Sequence, residues 1–217
     1  MLFEMPQAFL GLGRVIEIEA DQLIVSRNDR SSEIYMVVSG YVLLQTSSVQ
    51  GRQFVIDVIR PNQLFGFAAV LGSAAERVDA TTLTACRLAA LEPEVLEKAV
   101  ADDPEFALNL VRYFIRRLQR RTQQVEDLVM LSFSSRLARW LVVAAEDQGV
   151  ALEKGATFQC EFSQTLIASL IGVSRETVSR QLQKWEDRGL LSHAGKTICI
   201  LDPVQLQRIA DGFPDSE

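Results

Sequence analysis

The chain has 217 residues, 48% of them hydrophobic, and a formal net charge of −6, enough apolar material to bury a core in one or two domains. No apolar run reaches membrane-spanning length, and the opening "MLFEMPQAFLGLGRVIEIEA" lacks the basic stretch, apolar core and cleavage site of a secretory signal, so a cytoplasmic protein is expected, with no membrane partner. Three scattered cysteines, Cys86, Cys160 and Cys199, give no disulfide framework, and a single histidine, His193, leaves no His-based metal cluster; neither an enzyme nor a cofactor or metal site is expected.

The acid is unevenly placed. Residues 1–105 carry 8 basic against 15 acidic side chains, whereas residues 106–217 carry 14 against 13. A nucleic-acid partner is therefore not excluded by the net charge, because local field matters more than the sum.

From Arg14 to about Leu91 the chain runs in short β-branched or alternating stretches, "RVIEIEA", "QLIVS", "EIYMVVSG", "YVLLQTSSV", "RQFVIDVI" and "DATTLTACRLAAL", separated by turn signals at the spacing of a small β-barrel or roll. Asn28 and Asn62 stand at turns and suit a positive φ. At Pro104 the period changes: Val111, Phe114 or Ile115, Leu118, Val125, and Leu128 or Val129 make an apolar stripe over about four heptads. An apolar stripe of that length calls for a partner, which predicts a dimerisation helix. Arg121 and Thr122 interrupt it where a polar residue sets register or meets a ligand. Seven arginines lie between Phe106 and Arg139; they could serve DNA phosphates, hold a ligand or solubilise a helix. Arg136, should it touch DNA, would do so through phosphate.

A second helical run begins near Ser134. It leads to "SQTLIASLIGVSRETVSRQLQKWEDRGLL", where Leu166, Ile167, Leu170 and Ile171 recur at helical spacing, Gly172 interrupts, and Val178, Leu182 and Trp185 resume the stripe after a capping Ser174. Gly189 suits a helix C-cap. Two short helices joined by a tight turn form a helix-turn-helix pattern, whose second helix enters a DNA major groove. Its polar face carries Arg175, Glu176, Ser179 and Arg180. Arginine can bond guanine O6 and N7, glutamate can accept from cytosine N4, and serine can reach a base edge or phosphate. A short strand, a turn at Ala194-Gly195-Lys196, a second strand (Thr197 to Leu201) and a closing helix follow, as in a winged helix. The fold class expected is α+β: a jelly-roll-like β-roll sensor domain at residues 1–104, a dimerisation helix at 105–133 and a winged helix-turn-helix at 134–217. A regulatory module acting through protein contacts is the alternative, but a protein-binding face would centre on aromatic or aliphatic anchors rather than these polar residues.

On "SEIYMVVSGYVLL", "PNQLFGFAAVL" followed by Glu76-Arg77, "RYFIRRLQRRTQQVEDL" and "GVSRETVSRQLQKWEDRGLL", the chain resembles the Crp/Fnr family of bacterial transcription regulators over nearly its whole length. The resemblance implies a homodimer whose β-rolls sense a signal and whose winged helices bind a palindromic operator in double-stranded DNA, with RNA polymerase as a further partner. Arg175, Glu176 and Arg180 match base-reading positions of the catabolite-activator branch, and Glu176, Ser179 and Arg180 match the Glu-x-x-Ser-Arg pattern of the Fnr branch. Ser163 falls where the family holds a phosphate with a hydroxyl. Ser174 and Thr177, at the start of the reader helix (residues 174–187), complete the DNA-facing set.

The departures from the family concern the effector. Cyclic-AMP-binding members show Gly-Glu-Leu and then Arg-Ser, where this chain has Gly66-Phe67-Ala68 and Arg77-Val78, and two adenine-facing hydroxyl residues become Arg121-Thr122. Each nucleotide group left unpaired would cost about 1–3 kcal/mol, so dependence on cyclic AMP is not expected. An iron–sulfur sensor would need four cysteines, and the one histidine lies in the wing rather than the roll. Gly66, Phe67, Ala68, Arg77, Val78, Arg117, Arg121 and Thr122 remain as the effector set. Its arginines are similar to those of family members that bind 2-oxoglutarate, which implies a small anionic effector; a roll without any ligand is the competing expectation.

Overall fold

The computed structural model describes residues 5–30, 32–47, 53–68 and 75–215. The chain divides into two compact units, residues 1–118 and 119–217.

Among the described residues the first unit has a helix, α1 (Met5–Leu12), followed by eight strands: β1 (Arg14–Ile18), β2 (Leu23–Val25), β3 (Ile34–Ser39), β4 (Val42–Ser47), β5 (Gln53–Ile59), β6 (Leu64–Phe65), β7 (Asp79–Thr82) and β8 (Cys86–Leu91). They form two four-stranded antiparallel sheets in the orders β1-β8-β3-β6 and β2-β7-β4-β5. Strand β3 shows why its sequence reads as an almost unbroken apolar run. Tyr35 and Val37 point into one core with Leu44, Ile59 and Leu88, while Ile34 and Met36 point into another with Phe9, Leu96 and Phe106. Both faces of the strand are buried, so the period-2 alternation of a half-exposed strand is lost.

The run "DATTLTACRLAAL", read as one stretch, is two strands of different sheets. Thr82, 1% exposed, marks the corner: its hydroxyl donates to the Glu19 carbonyl at 2.6 Å and accepts from the Gln22 amide at 2.8 Å, beside the backbone bonds that its amide makes to the Gln22 carbonyl and its carbonyl to the Asp21 amide. Asn28 and Asn62 do take positive φ, 71° and 67°, as does Asp21 at 60°.

A helix α2 (Pro93–Asp102) packs Leu96 into the second core, and α3 (Pro104–Met130) follows. Asp103 starts α3 by accepting from the Glu105 and Phe106 amides at 2.9 and 3.1 Å, with Pro104 at the first helical position. The apolar stripe lies on the surface of the chain: Val111, Leu118, Val125 and Val129 are each more than half exposed.

In the second unit Ser132 caps a new helix, α4 (Phe133–Asp147), by accepting from the Ser135 amide. Then come β9 (Thr157–Gln159), α5 (Gln164–Ile171), α6 (Arg175–Asp187), β10 (Leu191–Ala194), β11 (Thr197–Ile200) and α7 (Pro203–Ala210). The strands form an antiparallel sheet in the order β10-β11-β9. One core holds the unit together, built from Leu137 and Leu141 of α4, Ile167 and Ile171 of α5, Val178, Leu182 and Trp185 of α6, and Leu206 and Ile209 of α7. Among the described residues no helix is long and apolar enough to cross a membrane.

Candidate nucleic-acid interface

Helix α5 starts at Ser163, whose Oγ accepts from the Leu166 amide at 3.2 Å. It ends at Gly172 in the left-handed region, φ 75°, ψ 42°, a conformation that costs a residue with a Cβ about 1–2 kcal/mol. The Val173 amide donates back to the Ala168 carbonyl, closing the turn. Ser174 then caps α6: its Oγ accepts from the Thr177 amide at 3.2 Å and lies 3.0 Å from the Thr177 hydroxyl. The two short helices and their turn are thus specified locally, by two serines and one glycine.

Burial sorts the residues of α6. Val178, Gln181, Leu182 and Trp185 are buried, while Arg175, Glu176, Ser179 and Arg180 are exposed. At 100° per residue the second set faces away from the core in the first half of the helix, where a recognition helix contacts base edges. The Glu176 carboxyl is held below the usual range, first by its own backbone N–H, then by the Ser174 side chain, with the Arg175 and Arg180 charges adding to this. It is therefore ionised and an acceptor at neutral pH, as bonding to an amino group requires. Ser163 spends one lone pair on capping, which leaves its O–H to donate, whereas the Ser174 side chain both caps α6 and bonds the Glu176 carboxyl; the helix N-termini on which the two serines sit favour phosphate. Thr177 is half-buried and tied to the cap.

Strands β10 and β11 form the wing, turning through Gly195. Glu186 of α6 holds the wing to the helix, its Oε1 accepting from the His193 amide at 2.7 Å and lying 2.7 Å from His193 Nδ1; that amide, above all, lowers the Glu186 pKa. Lys196 bonds Glu161 at 2.7 Å.

The effector set is spread over several places. Arg77 and Val78 line a cavity of about 550 Å³ in the first unit, with Arg27, Asn28, Thr46 and Ile56. Phe67 stacks edge-on against Phe114, centroids 4.8 Å apart, and lies 5.9 Å from the Arg117 guanidinium. Arg117 also donates to the Leu64 carbonyl and sits 3.9 Å from an Asp57 carboxylate oxygen. Neither Phe67 nor Arg117 borders the cavity that Arg77 lines. Gly66, φ 83°, passes so near Glu33 that a Cβ would come within 2.8 Å of its carbonyl oxygen. Ala68 is half-buried, and its backbone bonds the Glu76 carboxyl. Arg121 and Thr122 belong to the second unit, where Arg121 donates to Gln124 at 2.7 Å.

Sequence reasoning assigned no role to Glu76. It is 7% exposed, its Oε1 has no hydrogen-bond partner, and burial pushes its carboxyl pKa up. Its neighbours in the sequence, Ala75 and Arg77, give no sign of this. Nor did the sequence mark Tyr113, whose hydroxyl accepts from the Leu64 amide at 2.8 Å, beside Arg117.

Residues 135–209 match the Crp-like helix-turn-helix domain and residues 15–103 match the cyclic nucleotide-binding domain. The chain is 27% identical over 195 residues to a CRP-like cAMP-activated global transcriptional regulator of Mycobacterium tuberculosis, covering 90% of this chain and 87% of that one. It is 28% identical to the global nitrogen regulator of a Nostoc species, covering 88% and 86%. Among solved structures, FixK2 from Bradyrhizobium japonicum superposes with a TM-score of 0.77 at 22% identity, over 95% of this chain and all of that one, a likeness of fold. With a cyclic-nucleotide-binding-type roll ahead of a Crp-like helix-turn-helix, the chain is a DNA-binding transcription regulator and belongs to the Crp/Fnr family.

Proposed function

We propose that the protein acts in the cytoplasm as a homodimer that binds a palindromic operator, each α6 reading one half-site through Arg175, Glu176, Ser179 and Arg180, without dependence on cyclic AMP. The observation that carries this reading is the division of α6 into a buried apolar side and an exposed face of base-reading chemistry at its N-terminal end. The exposed stripe of α3 supports pairing of two copies, since it leaves Leu118 68% and Val125 63% exposed in the single chain. A two-fold dimer requires half-sites related by the same symmetry, about one helical turn apart. Ser163 and Ser174 hold phosphates, and RNA polymerase is the partner through which the bound dimer acts.

Phe67 and Val78 in place of an acid and a hydroxyl residue support independence from cyclic AMP, and Phe67 is already packed on Phe114. An anionic effector is assigned to the cavity lined by the exposed cations Arg77 and Arg27, with Asn28, Thr46 and the buried Glu76 also in its wall. Selection from random duplexes, followed by footprinting and titration with and without cyclic AMP, tests the whole reading: an inverted repeat bound equally well in both conditions is the expected result.

A further inference from the structure

Helix α7 is followed by residues 211–215, which turn back toward α6. The Gly212 amide donates to the Ile209 carbonyl and the Phe213 amide to the Arg208 carbonyl, and the Arg208 guanidinium lies over the Phe213 ring at 5.5 Å. This turn delivers Asp215, whose side chain is only 8% exposed. Its Oδ2 accepts from Gln181 Nε2 at 2.8 Å and from the Trp185 indole N–H at 3.1 Å, and its Oδ1 accepts from Arg188 Nη1 at 2.5 Å. Lys184 Nζ stands 4.0 Å away.

A carboxylate removed from water is costly unless donors replace its hydration, and here three donors from neighbouring helix positions do so. Gln181 and Trp185 of α6 and Arg188 at its C-cap follow one another at intervals of four and three residues, a single stripe along the helix. At 100° per residue this stripe lies about 180° around the helix from the centre of the Arg175, Glu176, Ser179 and Arg180 face. Apolar packing alone tolerates small rotations of a helix, whereas three hydrogen bonds of fixed length and direction to one carboxylate do not. We propose that Asp215 is a positioning residue of the DNA reader: bonded to Gln181, Trp185 and Arg188 on the back of α6, it fixes the rotation and axial setting at which the opposite face meets base edges. This rests on the reading of α6 as the base-reading helix.

The test compares the full-length protein with Asp215→Ala and Asp215→Asn. Affinity is measured at fixed salt for the selected operator and for a scrambled duplex of equal length, and Trp185 emission is followed in a Trp140→Phe background, where it is the sole tryptophan. Asp215→Ala is expected to lose about tenfold or more on the operator and less than about twofold on the scrambled duplex, because base contacts depend on register and phosphate attraction does not. Its Trp185 emission is expected to shift as the indole loses its charged acceptor. Asp215→Asn keeps an oxygen for Gln181 and Trp185 but not the charge facing Arg188, so it should fall between the two and remain folded. Equal losses on both duplexes would mean a merely structural role and would overturn the proposal, as would a shifted emission with an unchanged operator preference. A parent protein that selects no operator would remove the DNA-reading premise itself, a failure visible before any variant is made.

Discussion

Arg136 Nε donates to the carbonyl of Ile171, the last residue of α5, at 2.9 Å, while its Nη1 donates to the Leu131 carbonyl at 2.8 Å. From the sequence this arginine would touch DNA, if at all, through phosphate; in the fold its guanidinium braces the ends of two helical segments. A cation at a helix C-terminus satisfies carbonyls that lack an intrahelical partner and suits the dipole.

Arg136→Ala is accordingly expected to cost about 1.5–3 kcal/mol of stability, the range for hydrogen bonds to charged groups. The salt dependence of DNA binding should stay as it is. Denaturant unfolding and a salt titration separate the two roles: unchanged stability with a slope reduced by about one unit would return Arg136 to the phosphates.

Val125, on the exposed stripe of α3, tests the dimer. Val125→Asp places a charge where the proposed partner helix would bury it, and light scattering at micromolar concentration should then report a monomer, against a dimer for the parent. A dimeric variant, or a monomeric parent, contradicts the assignment of the stripe.

Glu76 gives a pH dependence of definite sign. Burial raises its folded-state pKa above the ordinary carboxylate value of 4.5, so the folded state holds the proton more tightly than the unfolded chain. The stability linked to that proton is fully present below the ordinary value and is lost as pH rises through the folded value. Glu76→Gln, which cannot ionise, should therefore melt at a higher temperature than the parent at pH 8, with the difference closing as the pH falls toward 4.5. A constant difference across that window would show that the carboxyl does not titrate with folding.

For the effector, calorimetry is expected to detect no cyclic AMP binding tighter than roughly millimolar, because each 1.4 kcal/mol of lost contact is about tenfold in affinity. Arg77→Ala should abolish the response of DNA binding to an anionic metabolite while leaving the unfolding free energy within about 0.5 kcal/mol of the parent, as for an exposed side chain. Micromolar binding of cyclic AMP would overturn the inference from Phe67 and Val78.

Local signals in the sequence carried far. Ser174, Gly172 and the stripe Val178, Leu182 and Trp185 locate the reader helix because capping, a left-handed turn and amphipathic spacing act within a few residues. The β-rich character of the roll follows from runs such as "EIYMVVSG" for the same reason. What escaped notice depends on distant partners. The two-residue strand β6 exists only through pairing with β3. Helix α1 owes its place to Phe9, fully buried in a core assembled from strands and α2. Arg117, expected among the effector residues, has Leu64 and Asp57, more than fifty residues earlier in the chain, beside it, which no local pattern encodes. The two effector motifs meet where the Ala68 backbone bonds the Glu76 carboxyl, while Arg77 lines the cavity and Phe67 packs against Phe114, an arrangement that sequence spacing does not encode.

The central claim, that α6 reads base sequence through its exposed face, is tested most directly by selecting operators from random duplexes with the parent, Arg180→Ala and Glu176→Ala. The parent should return an inverted repeat. Arg180→Ala should lose about 1–3 kcal/mol at one symmetric base pair and accept other bases there, and Glu176→Ala should relax a different position with less loss of affinity. Variants that return the parent's motif unchanged, with affinity lowered alike on every sequence, would contradict the account.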